Sequence, residues 1–231
     1  MYDSERMARG YAYDRPPVHE AILQTVNPAR VRCALDVGSG AGRSTKALKP
    51  FADKVFGLEP NLAMARFHRA GTVVARAEEL PFRDGSFQLI TAAGSLNYVD
   101  NSRFLPEAAR VLEPGGILLI YDFSSGSRAR NDDGDRLARW FAEFRHRAPG
   151  DPDYDLDPRS LDFAGAGLAL KSYQEFPVTI RMSLEGYQKY ILTETDADIA
   201  QWCAETLPRV FEGPPLDVVF DTYAARAMRV P

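Results

Sequence analysis

The first half of the chain alternates short apolar runs with segments of helical period. The apolar runs, Ala34–Val37, Lys54–Leu58, Thr72–Arg76, Phe87–Ala92 and Ile117–Asp122, are read as strands. Helical stretches lie among them at Arg43–Lys49, Leu62–Arg69 and Arg103–Leu112. Strands that are apolar almost throughout need cover on both sides, so the order predicts a parallel α/β sheet with helices on both faces. Glu113-Pro114-Gly115-Gly116 is read as the stop of the third helix and the turn into the fifth strand.

The pattern changes after about residue 124. Leu137, Trp140, Phe141 and Phe144 share one helical face, with Asp132, Asp133 and Asp135 before them and Arg145, His146 and Arg147 behind. That charge order suits a helix dipole, and the aromatic stripe suits core packing ahead of a roof over a pocket. Ala148–Asp153 reads as a loop, and Lys171–Met182 as a strand interrupted by Pro177. Helices at Leu184–Leu192 and Ala197–Val210 and a last strand at Asp217–Ala224 follow, adding an antiparallel edge to the sheet.

Chemistry concentrates where the first strand ends. Asp36 and Val37 lead into Gly38, Gly40 and Gly42 at alternate positions, then into a helix start. Such a turn lets a ligand touch bare backbone. Glu59 closes the second apolar run, about 20 residues on, where a carboxylate can take the two hydroxyls of a ribose. A pyrophosphate would meet repulsion from Asp36, and the Gly-x-Gly-x-Gly spacing departs from the dinucleotide pattern. S-adenosylmethionine has no phosphate and carries a sulfonium and an ammonium, which an aspartate attracts.

Composition narrows the setting. The chain has 231 residues, a net charge of -4 and two cysteines, Cys33 and Cys203. That length suits one domain, and the charge argues against a nucleic-acid partner. No run approaches the ~18 apolar residues of a membrane span, and Met1–Arg6 is charged rather than signal-like. Cys33 falls in a strand, where a buried thiol is expected, and the cytoplasm is the expected location.

Several ordered motifs carry a family likeness: Leu35–Arg43, Gly57-Leu58-Glu59-Pro60, Ala77–Phe82, Asp84-Gly85-Ser86-Phe87 and Glu107–Gly116. Over about residues 33–123 the chain resembles class I S-adenosylmethionine-dependent methyltransferases, in particular the small-molecule type 11 group. Tyr11–Pro17 also resembles a segment of trans-aconitate-like methyltransferases. The resemblance implies a Rossmann-like, seven-stranded, mostly parallel sheet with an antiparallel edge strand and helical insertions in the C-terminal half. It implies a helical arm or lid over 1–32, a cofactor core over 33–123, and a C-terminal remainder of the same domain over 124–231.

Asp36 is expected at the cofactor on that charge argument; carried over residue by residue, Gly38, Ser39, Gly40 and Gly42 would back the methionine moiety and Glu59 the ribose. Asn61, Leu62 and Met64 would lie near the adenine, Ala77 and Glu78 at its edge, and Ala93, Gly94 and Ser95 at the mouth. Tyr11, Tyr13 and Arg15 would close the arm over the cofactor, Arg15 meeting a carboxylate. Two departures stand out. Ala75-Arg76 replaces the Gly-Asp of many relatives, and Asn97-Tyr98 replaces a histidine pair or His-Trp.

Methyl transfer from a sulfonium needs placement and exclusion of water more than acid–base chemistry. His19, Asn97 and Tyr98 are the candidate catalytic residues, Asp122 is a further acceptor-side candidate, and no metal site is read. The expected function is methylation of a small-molecule acceptor, with S-adenosylhomocysteine as product. O-methylation is favoured, and a carboxylate acceptor would need no base. A non-methylating or sensing S-adenosylmethionine-binding protein is the alternative. A monomer or homodimer is expected, with neither nucleic acid nor membrane as partner.

Overall fold

The structure is a computed structural model that describes residues 5–68, 71–151, 154–195 and 198–230. The strands of the first half are β1 (Val31–Val37), β2 (Ala52–Leu58), β3 (Thr72–Val73), β4 (Phe87–Ala93) and β5 (Leu112–Phe123). All pair in parallel, in the order β3-β2-β1-β4-β5. The second half adds β6 (Arg128–Ala129), β7 (Leu168–Met182) and β8 (Leu216–Arg229). β8 runs antiparallel to β5, and β7 runs antiparallel to β8 along its other side. The reversed strand therefore lies one place in from the edge, with β7 outside it. The two-residue β6 continues the line of β5 along β8, at Val218 and Val219. The sheet thus has seven strand positions, mostly parallel, as the resemblance implies.

Strand alternation distributes the core over both faces. Ala34, Leu89, Leu119 and Tyr121 point into one cluster, and Leu35, Ile90, Leu118 and Ile120 into the other. The second cluster is closed by α5 (Asn101–Val111) through Phe104, Leu105, Ala108 and Val111. Asp100 caps that helix by accepting from Ser102 N at 3.1 Å, so it starts before Arg103. The first cluster takes α2 (Val18–Val26), with Val18, Ile22, Leu23 and Val26 buried along one face, and α3 (Arg43–Leu48). It also takes α6 (Arg136–Arg147), α7 (Leu184–Ile191) and α8 (Ala200–Val210). Trp140 stacks on Phe144 and Trp202 and donates its indole N–H to Thr206 at 2.8 Å, so the aromatic stripe is core packing.

Element ends differ from the sequence expectations for local reasons. β3 stops at Val73 rather than Arg76, because β2 offers no partner beyond Leu58, and the chain turns back toward the strand ends with Ala77 and Glu78. The helix α4 ends at Ala65 (Leu62–Ala65), and His68 turns under the glycine loop. Arg69 and Ala197, expected helix ends, and Pro152 and Asp153 of the expected loop lie outside the described residues. Pro177 does not interrupt β7, whose only partner is β8, so the missing N–H costs no second ladder. Gly115, at φ 77°, lies in a bulge at the start of β5. Cys33 and Cys203 are buried free thiols. Among the described residues no helix is long and apolar enough to cross a membrane.

One buried group fixes the end of β1. Asp36 is fully enclosed; its Oδ2 accepts from Ser44 Oγ and Thr45 Oγ1, both at 2.6 Å, and its Oδ1 from Thr91 Oγ1 at 2.9 Å. Burial pushes its carboxyl above the usual range, against the pull of the three hydroxyls. Asp36→Ala leaves all three hydroxyls buried without this acceptor. It is expected to cost about 3 kcal/mol or more, at ~1 kcal/mol or more each. Urea unfolding of the variant against wild type measures this; a loss under about 1 kcal/mol contradicts the hub.

Candidate active site

The carboxyl ends of β1, β2 and β4 open into a cleft of about 420 Å³. The loop after β1 is drawn to β2, with Gly38 N and Ser39 N donating to Leu58 O at 2.8 and 3.0 Å. Gly38 has φ 70°, and a Cβ there would meet Ser95 Cβ at 2.3 Å, so the close approach requires glycine. Gly40 N donates to Glu59 Oε2 at 2.9 Å and Asn61 N to Glu59 Oε1 at 2.8 Å. Glu59 is thereby aimed along the floor of the cleft, and burial raises its carboxyl pKa against these two amides. Asn61 caps α4 by accepting from Ala63 N at 2.8 Å, and Met64 lies beneath Gly40. Ala77 and Glu78 form the far wall, where Glu78 accepts from Asp100 N at 3.0 Å.

A second chamber of about 530 Å³ adjoins the first. Tyr11, His19, Arg43, Ala93, Gly94 and Tyr98 line both. Its deep wall is a buried ion cluster: Arg15 pairs with Glu194, which also accepts from Ser125 Oγ at 2.5 Å and lies 3.4 Å from Arg145. Arg15 also lies over the rings of Tyr11 and Tyr190. At the end of β5, Asp122 Oδ2 accepts from Tyr154 OH at 2.6 Å, and burial pushes Asp122 up to about 6. Gly94, at φ 62°, must lack a side chain, because a Cβ would stand 2.9 Å from both Asp122 Oδ1 and Tyr154 OH. The helix α1 (Glu5–Tyr13) spans the mouth. Arg6 donates to Leu192 O and Thr195 O on one side, and Tyr13 meets Phe67 edge-on from the other.

Comparison with known proteins supplies a family for this geometry. Residues 35–120 match a family model described as a methyltransferase domain. An uncharacterized methyltransferase of Mycobacterium tuberculosis is 34% identical over 47% of this chain and 46% of its own length. A demethylmenaquinone methyltransferase of Tropheryma whipplei is 34% identical over 51% of this chain and 56% of its own. The chain thus spans about half the length of the curated relatives it matches. Among solved structures, a protein of Anaeromyxobacter dehalogenans provisionally assigned as a type II methyltransferase superposes with a TM-score of 0.71. It is 22% identical, over 94% of this chain and 97% of that one. Geranyl diphosphate C-methyltransferase of Streptomyces coelicolor, in complex with S-adenosyl-L-homocysteine, gives 0.52 at 17% identity, over 92% and 79%. Over residues 35–120 the chain is thus similar to a methyltransferase domain. The likeness to methyltransferases read from the sequence is borne out over these residues.

The fold brings most of the residues expected on the donor side together. Gly38, Ser39, Gly40, Glu59, Asn61, Met64, Ala77, Glu78, Ala93, Gly94 and Tyr11 all line the first chamber. Ser39 Oγ is buried there without a hydrogen-bond partner among the described residues, an orphan that a polar ligand would satisfy. Several expected residues lie elsewhere. Asp36 points away, its oxygens taken up by the three hydroxyls. Gly42 faces the His68 ring, which a Cβ would meet at 2.8 Å, so this glycine serves packing. Arg15 belongs to the second chamber, and the carboxylate it meets is that of Glu194. Leu62 is 70% exposed and outside the cleft, on the outer face of α4.

The catalytic candidates separate as well. Asn97 lies outside both chambers, its Oδ1 accepting from Leu156 N at 3.0 Å. Tyr98 stands at the junction, 5.7 Å from the ring of Tyr154. His19 also stands at the junction, its Nδ1 3.2 Å from Tyr121 OH. Sequence reasoning missed Arg43, Tyr154 and Glu194 as lining residues. Arg43 directly follows the glycine run and was open to inspection; the other two lie in segments without a motif.

Burial, with the charges of Arg15 and Arg43, lowers His19 from 6.5 to about 3. The unfolded chain accepts a proton that the folded chain refuses, so stability present above about pH 6.5 is lost as pH falls toward about 3. His19→Gln is expected to flatten this part of the pH dependence. Urea unfolding at about pH 7 and about pH 5 checks it, and an unchanged pH difference would show that His19 is not held neutral.

Proposed function

We propose that the chain is an S-adenosylmethionine-dependent methyltransferase acting on a small molecule held in the second chamber. The observation that carries this reading is the meeting of the two chambers at Gly94, Tyr98 and His19. When bound, the cofactor supplies a methyl group already activated on a sulfonium. Glu59 suits the ribose: each of its oxygens takes one amide hydrogen and retains a lone pair for a hydroxyl. Gly38, Ser39 and Gly40 offer backbone and a free hydroxyl to the methionine moiety, while Ala77 and Glu78 face the adenine side. The second chamber orients the acceptor and excludes water, which is most of what transfer from a sulfonium requires.

The acceptor atom is an oxygen ionised without strong assistance, a carboxylate being the leading case. Support comes from the side chains present. His19 is held neutral, with a conjugate acid too strong to serve as a base near neutrality, and Asp122 is already tied to Tyr154. A carboxylate needs neither. A second reading, methylation at carbon, draws on the names of the quinone and geranyl diphosphate relatives and on the rings of Tyr98, Phe123 and Tyr154 in the same chamber. The cytoplasm is the expected setting.

Calorimetry with S-adenosylmethionine, S-adenosylhomocysteine and NAD in parallel tests the donor. Binding of the first two and not of NAD is expected, and binding of NAD alone overturns the reading. Glu59→Ala should weaken S-adenosylmethionine by roughly 1–3 kcal/mol, the scale of hydrogen bonds to a charged group. Unchanged affinity would remove Glu59 from the ribose site. Methyl incorporation from labelled cofactor into a metabolite extract then separates a carboxylate acceptor, whose methyl ester is labile to alkali, from a carbon acceptor, whose product is stable.

A further inference from the structure

We propose that Arg43 takes the carboxylate at the amino-acid end of the cofactor. This rests on the donor reading above and adds the residue that reading lacks, a cation for the one anionic group of the ligand. Arg43 opens α3 just past the glycine run and lines both chambers at their junction. The methionine moiety must lie at that junction, because the methyl group has to face the acceptor. Among the described residues, the guanidinium makes one hydrogen bond, from Nη2 to Arg15 O at 2.9 Å, and pairs with no carboxylate. Its Nε is buried and has no hydrogen-bond partner among the described residues. A buried guanidinium N–H without an acceptor is costly, and a planar fork with free donors matches a carboxylate.

The other cations of the cleft are less suited. Arg15 is committed to Glu194 and Thr193, beneath the ring of Tyr11. Arg145 shares Glu194 and donates to Ser125 Oγ at 2.7 Å, deep in the second chamber. Arg76 stands on the adenine wall, its side chain 79% exposed, 3.6 Å from Glu78. Arg43 alone combines the junction position with an unspent buried donor.

The test compares two ligands that differ at the amino-acid end. 5′-Methylthioadenosine shares adenine, ribose and thioether with S-adenosylhomocysteine but has no carboxylate or ammonium. Calorimetry on Arg43→Gln is expected to show S-adenosylhomocysteine weakened about tenfold or more, with methylthioadenosine within about twofold of wild type. Arg43→Lys should recover part of the loss, since it keeps the charge without the fork. Retained methylthioadenosine binding also shows that the variant is folded. Equal weakening of both ligands overturns the proposal. So does unchanged S-adenosylhomocysteine affinity, which would leave Arg43 to the acceptor. If wild type binds neither ligand, the donor reading itself falls, a result distinct from either.

Discussion

The donor chamber depends on the satisfaction of one buried carboxylate. Asp36, enclosed at the end of β1, would be costly without donors, and it finds them in the first turn of α3 and in the middle of β4. Three hydroxyls converging on two oxygens fix where α3 begins relative to both strands. The loop between has little freedom left. It bends through glycines at positive φ, lies against Ser95, and turns Gly40 N onto Glu59. A group that never reaches the cleft thus sets the position of groups that do, and Glu59 relays the constraint to Asn61 and α4.

The same economy of buried charge shapes the other chamber. Arg15, Glu194, Arg145 and Ser125 come from segments far apart in the chain, and each is met by another of the set. Paired and hydrogen-bonded in this way, the cluster is rigid and strongly destabilising to break, although its net contribution to stability is small. The arm across the mouth is held differently. Glu5–Arg66, both largely exposed, contributes little, and Arg6 donates to the carbonyls of Leu192 and Thr195.

Much of this was legible in the residues because it is local. Apolar runs bounded by glycine or a helix start gave β1, β2 and β4 within a few residues, and alternation along them gave both cores. The first chamber is carried by short segments at strand ends, so motif and position coincide at Gly38, Glu59 and Ala77. Asp36 misled because charge complementarity to a cofactor and satisfaction by Ser44, Thr45 and Thr91 are both open to an aspartate there. Only the register of β1 against β4 decides between them. Gly42 misled likewise, since a glycine that makes room for His68 looks the same in sequence as one that makes room for a ligand. Pro177 was read as a break because strand position at the sheet edge is a property of topology.

The acceptor side was far less legible, and the reason is geometric. Its walls take short pieces from α1, α2, α3, the ends of β4 and β5, the loop after α6 and the segment after α7, so no one stretch carries the whole pattern. The buried ions in those walls spend their charge mostly on one another, which removes them as direct readers of a substrate. On the proposed reading, selection falls to what remains facing inward: the rings of Tyr98, Phe123 and Tyr154, the neutral imidazole of His19, and the carboxylate of Asp122. Such a set discriminates by shape and by a few polar contacts. Residues of this kind can change the acceptor while the donor motifs and the Asp36 hub stay as they are.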